Sequence, residues 1–325
     1  MTTGPITLTA GWIARHTPPG AGVDGRDAAL IDIAQDLLLR VLHQRGVLDA
    51  LVFKGGTSLR KLYAGSQGRF SLDLDFSIAN PADDPDTVVL DLIGEIDGLT
   101  IGPFSYGVSE RRGKWWLMIG SEFAATASTL SSKLDVSPPP WLDPVRRGWV
   151  SMPIHATYGA PALPELQVIR LEENIAEKIS RLNRTTTARD LYDLTWLATH
   201  QQHIGALDTD LIRRLAVLKI WVDAHGVSAA NVRWRPGHAP SDFDPDQWLR
   251  TRAGAEVDLD DIGALAVPTP SLADLNATIG AHYAFLRDLD ADERQLALAR
   301  EQDRPIALRL LTKLPGQRLA SLGLY

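Results

Sequence analysis

The chain has 325 residues, of which 45% are hydrophobic and 22% charged, with a formal net charge of −7 and no cysteine. That length can bury a substantial core as one large or two ordinary domains. Without cysteine, disulfide frameworks, thiolate zinc sites and cysteine nucleophiles are excluded, and the acidic balance argues against a protein that coats nucleic acid non-specifically. Met1–Gly20 lacks a basic stretch followed by an apolar one, and no run reaches the ~18 apolar residues of a membrane span, so a cytoplasmic address with no membrane partner is expected.

Ile31, Ile33, Ala34, Leu37, Leu38, Val41 and Leu42 recur at helical spacing, which predicts a helix over Arg26–Gly46. Leu51-Val52-Phe53 reads as a short strand, Lys54-Gly55-Gly56-Thr57 as a turn, and Ser58-Leu59-Arg60-Lys61-Leu62-Tyr63 as a short helix with a Thr or Ser cap. From Phe70 to Ile78 the pattern alternates: Leu72, Leu74, Phe76 and Ile78 face one way, Ser71, Asp73, Asp75 and Ser77 the other. This predicts a strand with an open face rich in carboxylates. A helix is expected over Val88–Ile96, then strands over Phe104–Ser109, Lys114–Phe123 and Ser132–Ser137, with a hairpin turn at Arg111-Arg112-Gly113. Trp115-Trp116 reads as strand packing with one ring in the core, stacking on a base being the alternative. Past Val168 the period becomes helical, with helices over Leu171–Leu182 and Ala188–Thr199 and breaks at Pro236–Pro245 and Pro268–Pro270. The expected architecture is an α+β domain over residues 1–160 followed by an α-helical domain over 161–325.

Asp73-Leu74-Asp75 carries the strongest chemical signal, because carboxylates two apart on a strand project from one face and can share divalent metals. Hard oxygen donors without thiols or clustered histidines suit magnesium. Lys54-Gly55-Gly56-Thr57-Ser58 places glycines and hydroxyls between a strand and a helix start, where free N–H groups favour phosphate. Asp135, in Lys133-Leu134-Asp135-Val136-Ser137, offers a third carboxylate on another strand. Arg111-Arg112, Lys114, Arg146 and Arg147 are solvated turn charges or contacts for an RNA backbone. Asp242, Asp244, Asp246, Asp258, Asp260 and Asp261 read as a solvated acidic loop.

The run Phe53-Lys54-Gly55-Gly56-Thr57-Ser58-Leu59 with Lys61-Leu62-Tyr63, followed by Arg69-Phe70-Ser71-Leu72-Asp73-Leu74-Asp75, resembles the first motif of the AbiEii/MenT nucleotidyltransferase toxins, within the DNA polymerase β-like superfamily. A second motif of that family follows in order, Glu173-Asn174-Ile175-Ala176-Glu177-Lys178-Ile179 and then Arg189-Asp190-Leu191-Tyr192-Asp193-Leu194. The resemblance covers Val52 to Leu197 and implies a polymerase β-like α+β fold with a mixed sheet. It implies a two-magnesium centre on Asp73, Asp75 and Asp135, and a nucleoside triphosphate held by Lys54, Gly55, Gly56, Thr57, Ser58 and Lys178. Asp193 would orient Lys178; pairing of Asp193 with Arg189, four residues away, is the structural alternative. By the same analogy the acceptor is the 3′ end of tRNA, a cognate antitoxin protein is the partner, and Ser71 matches a position of regulatory phosphorylation. Two other readings stay open: transfer to a protein hydroxyl or an aminoglycoside-like cation, and a nucleotide-binding regulatory module without turnover.

Overall fold

The structure, a computed structural model, describes residues 5–124, 130–159, 164–184, 188–225 and 270–316. The acidic loop and the proline breaks expected between 236 and 269 lie outside the described residues. The described chain as far as Val168, apart from Pro140–Asp143, makes one compact unit. Pro140–Asp143 and the described residues from Ile169 onward make the second.

The first unit is built on a mixed sheet of eight strands: β1 (Leu51–Lys54), β2 (Leu74–Ile78), β3 (Thr100–Ile101), β4 (Phe104–Arg111), β5 (Lys114–Ser121), β6 (Leu130–Ser137), β7 (Val145–Gly148) and β8 (Glu165–Val168). Their order is β3-β4-β5-β6-β2-β1-β8-β7. β2 runs parallel to β6 and β1 parallel to β8, and the remaining neighbours are antiparallel. The turn between β4 and β5 is the expected one, since Arg112 and Gly113 both take positive φ, 55° and 70°, as a two-residue hairpin loop requires. Trp115 and Trp116 point to opposite faces and both are only half-buried, so neither ring lies in the core as expected.

Helix α1 (Ala10–His16) precedes α2 (Gly22–Gln44), which starts four residues before the predicted helix and ends just ahead of Gly46, where φ is 77°. α2 is buried almost all round. It packs on the apolar face of the sheet, where the Tyr106 hydroxyl donates to the Ala34 carbonyl (2.8 Å) and Gln35 donates to Ser132 Oγ (3.1 Å). Helix α3 (Gly55–Leu59) begins at the glycines rather than at Ser58, and runs directly into a π-helical turn, Arg60–Ala64. Helix α4 (Pro85–Ile96) is capped by Asp84, whose carboxylate accepts from the Thr87 amide (3.0 Å).

β2 is shorter than the alternation predicts. Gln35 Nε2 donates to the Leu72 carbonyl (3.1 Å), and the Thr57 hydroxyl donates to the Asp73 carbonyl. These side chains take the main-chain acceptors a neighbouring strand would need, so Phe70–Asp73 is not strand and Asp73 stands just before β2.

In the second unit, α5 (Leu171–Arg184), α6 (Ala188–Thr199), α7 (Gln201–Ile204) and α8 (Thr209–His225) are followed by helices at Leu272–His282, Ala291–Leu296 and Arg304–Leu311. α5 packs on α8, where Lys219 meets Glu173 at 2.9 Å and Ser180 donates to Asp223 (2.7 Å). Glu173, fully buried, also accepts from the amides of Trp141 and Leu142, at 2.8 and 2.9 Å. Among the described residues, no helix is long and apolar enough to cross a membrane.

Candidate active site

Register brings the carboxylates together. Asp75 on β2 is the partner of Asp135 on β6, and on its other side of Lys54, the last residue of β1. Partners in adjacent strands project to one face about 4.8 Å apart, so Lys54, Asp75 and Asp135 form a row across three strands. Asp73 lies two residues ahead of Asp75, half-buried. Lys133 Nζ stands 3.3 Å from Asp135 Oδ1, the two side chains being 28% and 47% exposed, so this pair is held in an aqueous setting where it contributes little stability. Among the described residues no three His, Asp or Glu side chains are gathered into a metal-binding group.

The glycine turn lies against the row. Gly55 has φ +74°, and a Cβ there would collide with the Asp75 carboxylate, so both conformation and space demand glycine. Gly55 and Gly56 open α3, whose first-turn amides have no intrahelical acceptor. Thr57 and Ser58 are fully buried and their hydroxyls face inward. Thr57 donates to the Asp73 carbonyl and Ser58 to the Gly55 carbonyl (2.9 Å), so both fix the loop that carries the glycines and the first aspartate. Ser71 is also buried, with 6% exposure.

Beneath the turn lies a buried charge network whose acids the reading of the sequence did not single out. Arg60 and Lys61 follow α3 directly and reach Asp32 together, with Arg60 Nε and Lys61 Nζ both 3.0 Å from Asp32 Oδ1. Lys61 also meets Asp36 Oδ1 at 2.5 Å, and the Tyr158 hydroxyl donates to Asp36 Oδ2 (2.7 Å). His16 Nε2 stands 2.8 Å from Asp32 Oδ2. Arg60 Nη1 donates to the carbonyls of Gly65 and Gly68, at 2.9 and 2.6 Å, and the guanidinium lies 3.9 Å over the Phe70 ring. Arg60 therefore ties α2 to the segment that leads from the turn to Asp73. Burial alone would push Asp32 up, but Arg60 and Lys61 outweigh it and hold this carboxyl well below the usual range. Asp36 follows the same logic, burial raising it and Lys61 bringing it down below its ordinary value. Burial, and then the charge of Asp36, push the Tyr158 hydroxyl well up. The signal available in the sequence was an acid pair four residues apart inside the apolar pattern of α2.

In the second unit Lys178 on α5 is 3% exposed, 2.8 Å from Asp193 Oδ2 and 3.3 Å from Asp190 Oδ1, both on α6. Asp190 also meets Arg181 at 3.2 Å. Lys178, Asp190 and Asp193 of the second motif are thus brought together as one ion-paired group across two helices.

A family profile described as nucleotidyl transferase AbiEii toxin, type IV TA system, matches residues 36–272. Among solved structures, MenT4, a nucleotidyltransferase toxin from Mycobacterium tuberculosis H37Rv, is 37% identical with a TM-score of 0.79, over 95% of this chain and 99% of that one. JHP933 from Helicobacter pylori aligns over 87% of this chain and 98% of that one at 17% identity, with a TM-score of only 0.41. No curated protein matches. The profile spans both motifs, the glycine turn and the carboxylate row, and the chain therefore belongs to the AbiEii family of nucleotidyltransferase toxins of type IV toxin–antitoxin systems.

Proposed function

We propose that this toxin transfers a nucleoside monophosphate from a nucleoside triphosphate to the 3′ end of tRNA, which can then no longer be aminoacylated, and that a cognate antitoxin restrains it. The observation that carries the reading is the pairing of Asp75 with Asp135 beside a glycine that contacts Asp75. In the reaction the 3′ oxygen bonds to the α-phosphorus while the bond to the β-phosphate oxygen breaks. Pyrophosphate leaves, and Asp135 takes the hydroxyl proton. Asp75 and Asp135 offer adjacent hard oxygen donors, the class magnesium prefers, and Asp73 is two residues away. Magnesium held there would supply charge to offset that of the triphosphate and the departing pyrophosphate. The amides of Gly55 and Gly56 and the Lys54 ammonium would bind phosphate oxygens. Thr57 and Ser58 are assigned to the same cradle as the residues that shape it, since their hydroxyls donate inward. The motif similarity gives Lys178 the triphosphate, and its ion pair with Asp193 supports Asp193 as the group that orients it. Control through phosphorylation of Ser71 requires Phe70–Asp73 to open, because the residue is only 6% exposed.

Incubation of the purified toxin with total tRNA, magnesium and each α-labelled nucleoside triphosphate in turn tests the reading. Label is expected at the RNA 3′ end from at least one nucleotide. Label on protein instead, or no pyrophosphate release with any acceptor, would overturn it.

A further inference from the structure

The face that carries Asp75 and Asp135 continues across the hairpin of β4 and β5. Residues two apart on a strand share a face, and so do register partners. Lys133, two residues before Asp135, is the partner of Trp116. Lys114, two residues before Trp116, is the partner of Arg111. Asp75, Asp135, Lys133, Trp116, Lys114 and Arg111 therefore lie on one face of four strands, opposite the face that packs on α2. Burial agrees, for Leu134 and Leu117 on the helix side are buried, whereas Lys114 and Arg111 are exposed.

Trp116 and Asp135 are diagonal neighbours, with Cα atoms about 7–8 Å apart by sheet geometry, a distance an unstacked nucleotide spans. Arg111 Nη2 lies 3.4 Å from Met118 Sδ, so its side chain runs back over the same face as Trp116. Glu110, the acid of this hairpin, is the partner of Trp115 and points the other way. On a chain of net charge −7, exposed Lys114 and Arg111 beside the indole, with Lys133 paired to Asp135, place cations at the edge of the carboxylate row. The chemistry of this face is that of a single-stranded nucleic acid end: a ring on which any base can stack, with cations for the backbone beside it.

We propose that this face is the acceptor subsite, where a base of the single-stranded 3′ end stacks on Trp116 and its phosphates lie along Lys133, Lys114 and Arg111. The terminal hydroxyl is thereby delivered to Asp75 and Asp135. This inference rests on the proposed transfer to an RNA end.

The test uses the full chain and separates the two substrates. KM and kcat are measured for tRNA and for the nucleotide in wild type, Trp116→Ala, Trp116→Phe and the double variant Arg111→Glu/Lys114→Glu, alongside binding of a fluorescein-labelled single-stranded RNA ending in CCA. Trp116→Ala is expected to raise KM for tRNA about tenfold while KM for the nucleotide stays within about twofold, and Trp116→Phe to recover most of the loss. The double variant should weaken RNA binding and flatten its dependence on salt. If wild type labels tRNA and both Trp116→Ala and the double variant keep its KM and oligonucleotide affinity, the subsite is elsewhere and the transfer reading stands. If wild type labels a protein, or neither labels nor binds RNA, the transfer reading fails and the subsite with it.

Discussion

Gly55 is the residue at which the glycine pair and the carboxylate row meet, and a side chain there is disfavoured for two separate reasons. Its φ of +74° is strained for any L-residue, and the space a Cβ would take belongs to Asp75. Gly55→Ala is expected to cost about 1–2 kcal/mol in a urea titration and to lower transfer further than that loss of folded protein accounts for, because Asp75 must move. Asp75→Asn keeps the shape and removes the charge, so transfer should fall to background while the unfolding midpoint is unchanged. Lys178 calls for a different test, since it is buried between Asp190 and Asp193 and its truncation removes the cation these two carboxylates share. Lys178→Arg retains the charge but presents a planar fork in place of an ammonium. It should unfold near the wild-type midpoint and show a KM for the nucleotide raised at least about tenfold, the scale of one lost charge-assisted contact. An unchanged KM would return Lys178 to a structural ion pair.

The elements that hold these residues were legible in the sequence to unequal degrees. The hairpin at Arg112-Gly113 and helices α5 and α6 follow from local pattern, because turn chemistry and helical period act within a few residues, whereas the expected turn at Lys54–Thr57 is the end of β1 and the start of α3. β3 has two residues, and β7 carries adjacent arginines rather than an alternation, so neither leaves a periodic trace. Asp73 is off the strand because Gln35 and Thr57 capture main-chain oxygens, and contacts made over 16 and 37 residues have no local signature. The same holds for Lys61, whose partners Asp32 and Asp36 lie 25 to 29 residues away. That network makes a stability prediction. Lys61→Met leaves two buried acids without their shared cation and should cost about 3–5 kcal/mol by urea titration. Because Asp32 and Asp36 have carboxyls lowered in the folded state, their contribution is fully present above the unfolded value of about 3.9 and is lost as pH falls through the folded values. Wild-type stability, followed by the urea midpoint, should therefore drop steeply below about pH 4, and a flat profile there would contradict the network.

Taken as a whole, the chain combines a sheet-based unit bearing the carboxylate row and the glycine turn with a helical unit bearing the Lys178 group. It shares its fold with MenT4 over 95% of its length. Register, which no single strand pattern discloses, turned two separate aspartates into neighbours. The family and its chemistry could be read from two short motifs, and the resemblance put Asp75 and Asp135 in one centre; that they are register partners on adjacent strands could not be read. The central claim, that these two carboxylates carry nucleotide transfer to an RNA end, is tested most directly by labelling. Wild type, Asp75→Asn and Asp135→Asn, each verified as folded, are incubated with magnesium, total tRNA and the α-labelled nucleotide that wild type uses best. The account predicts 3′-end label on tRNA with wild type and background with either variant; undiminished label with either variant would contradict it.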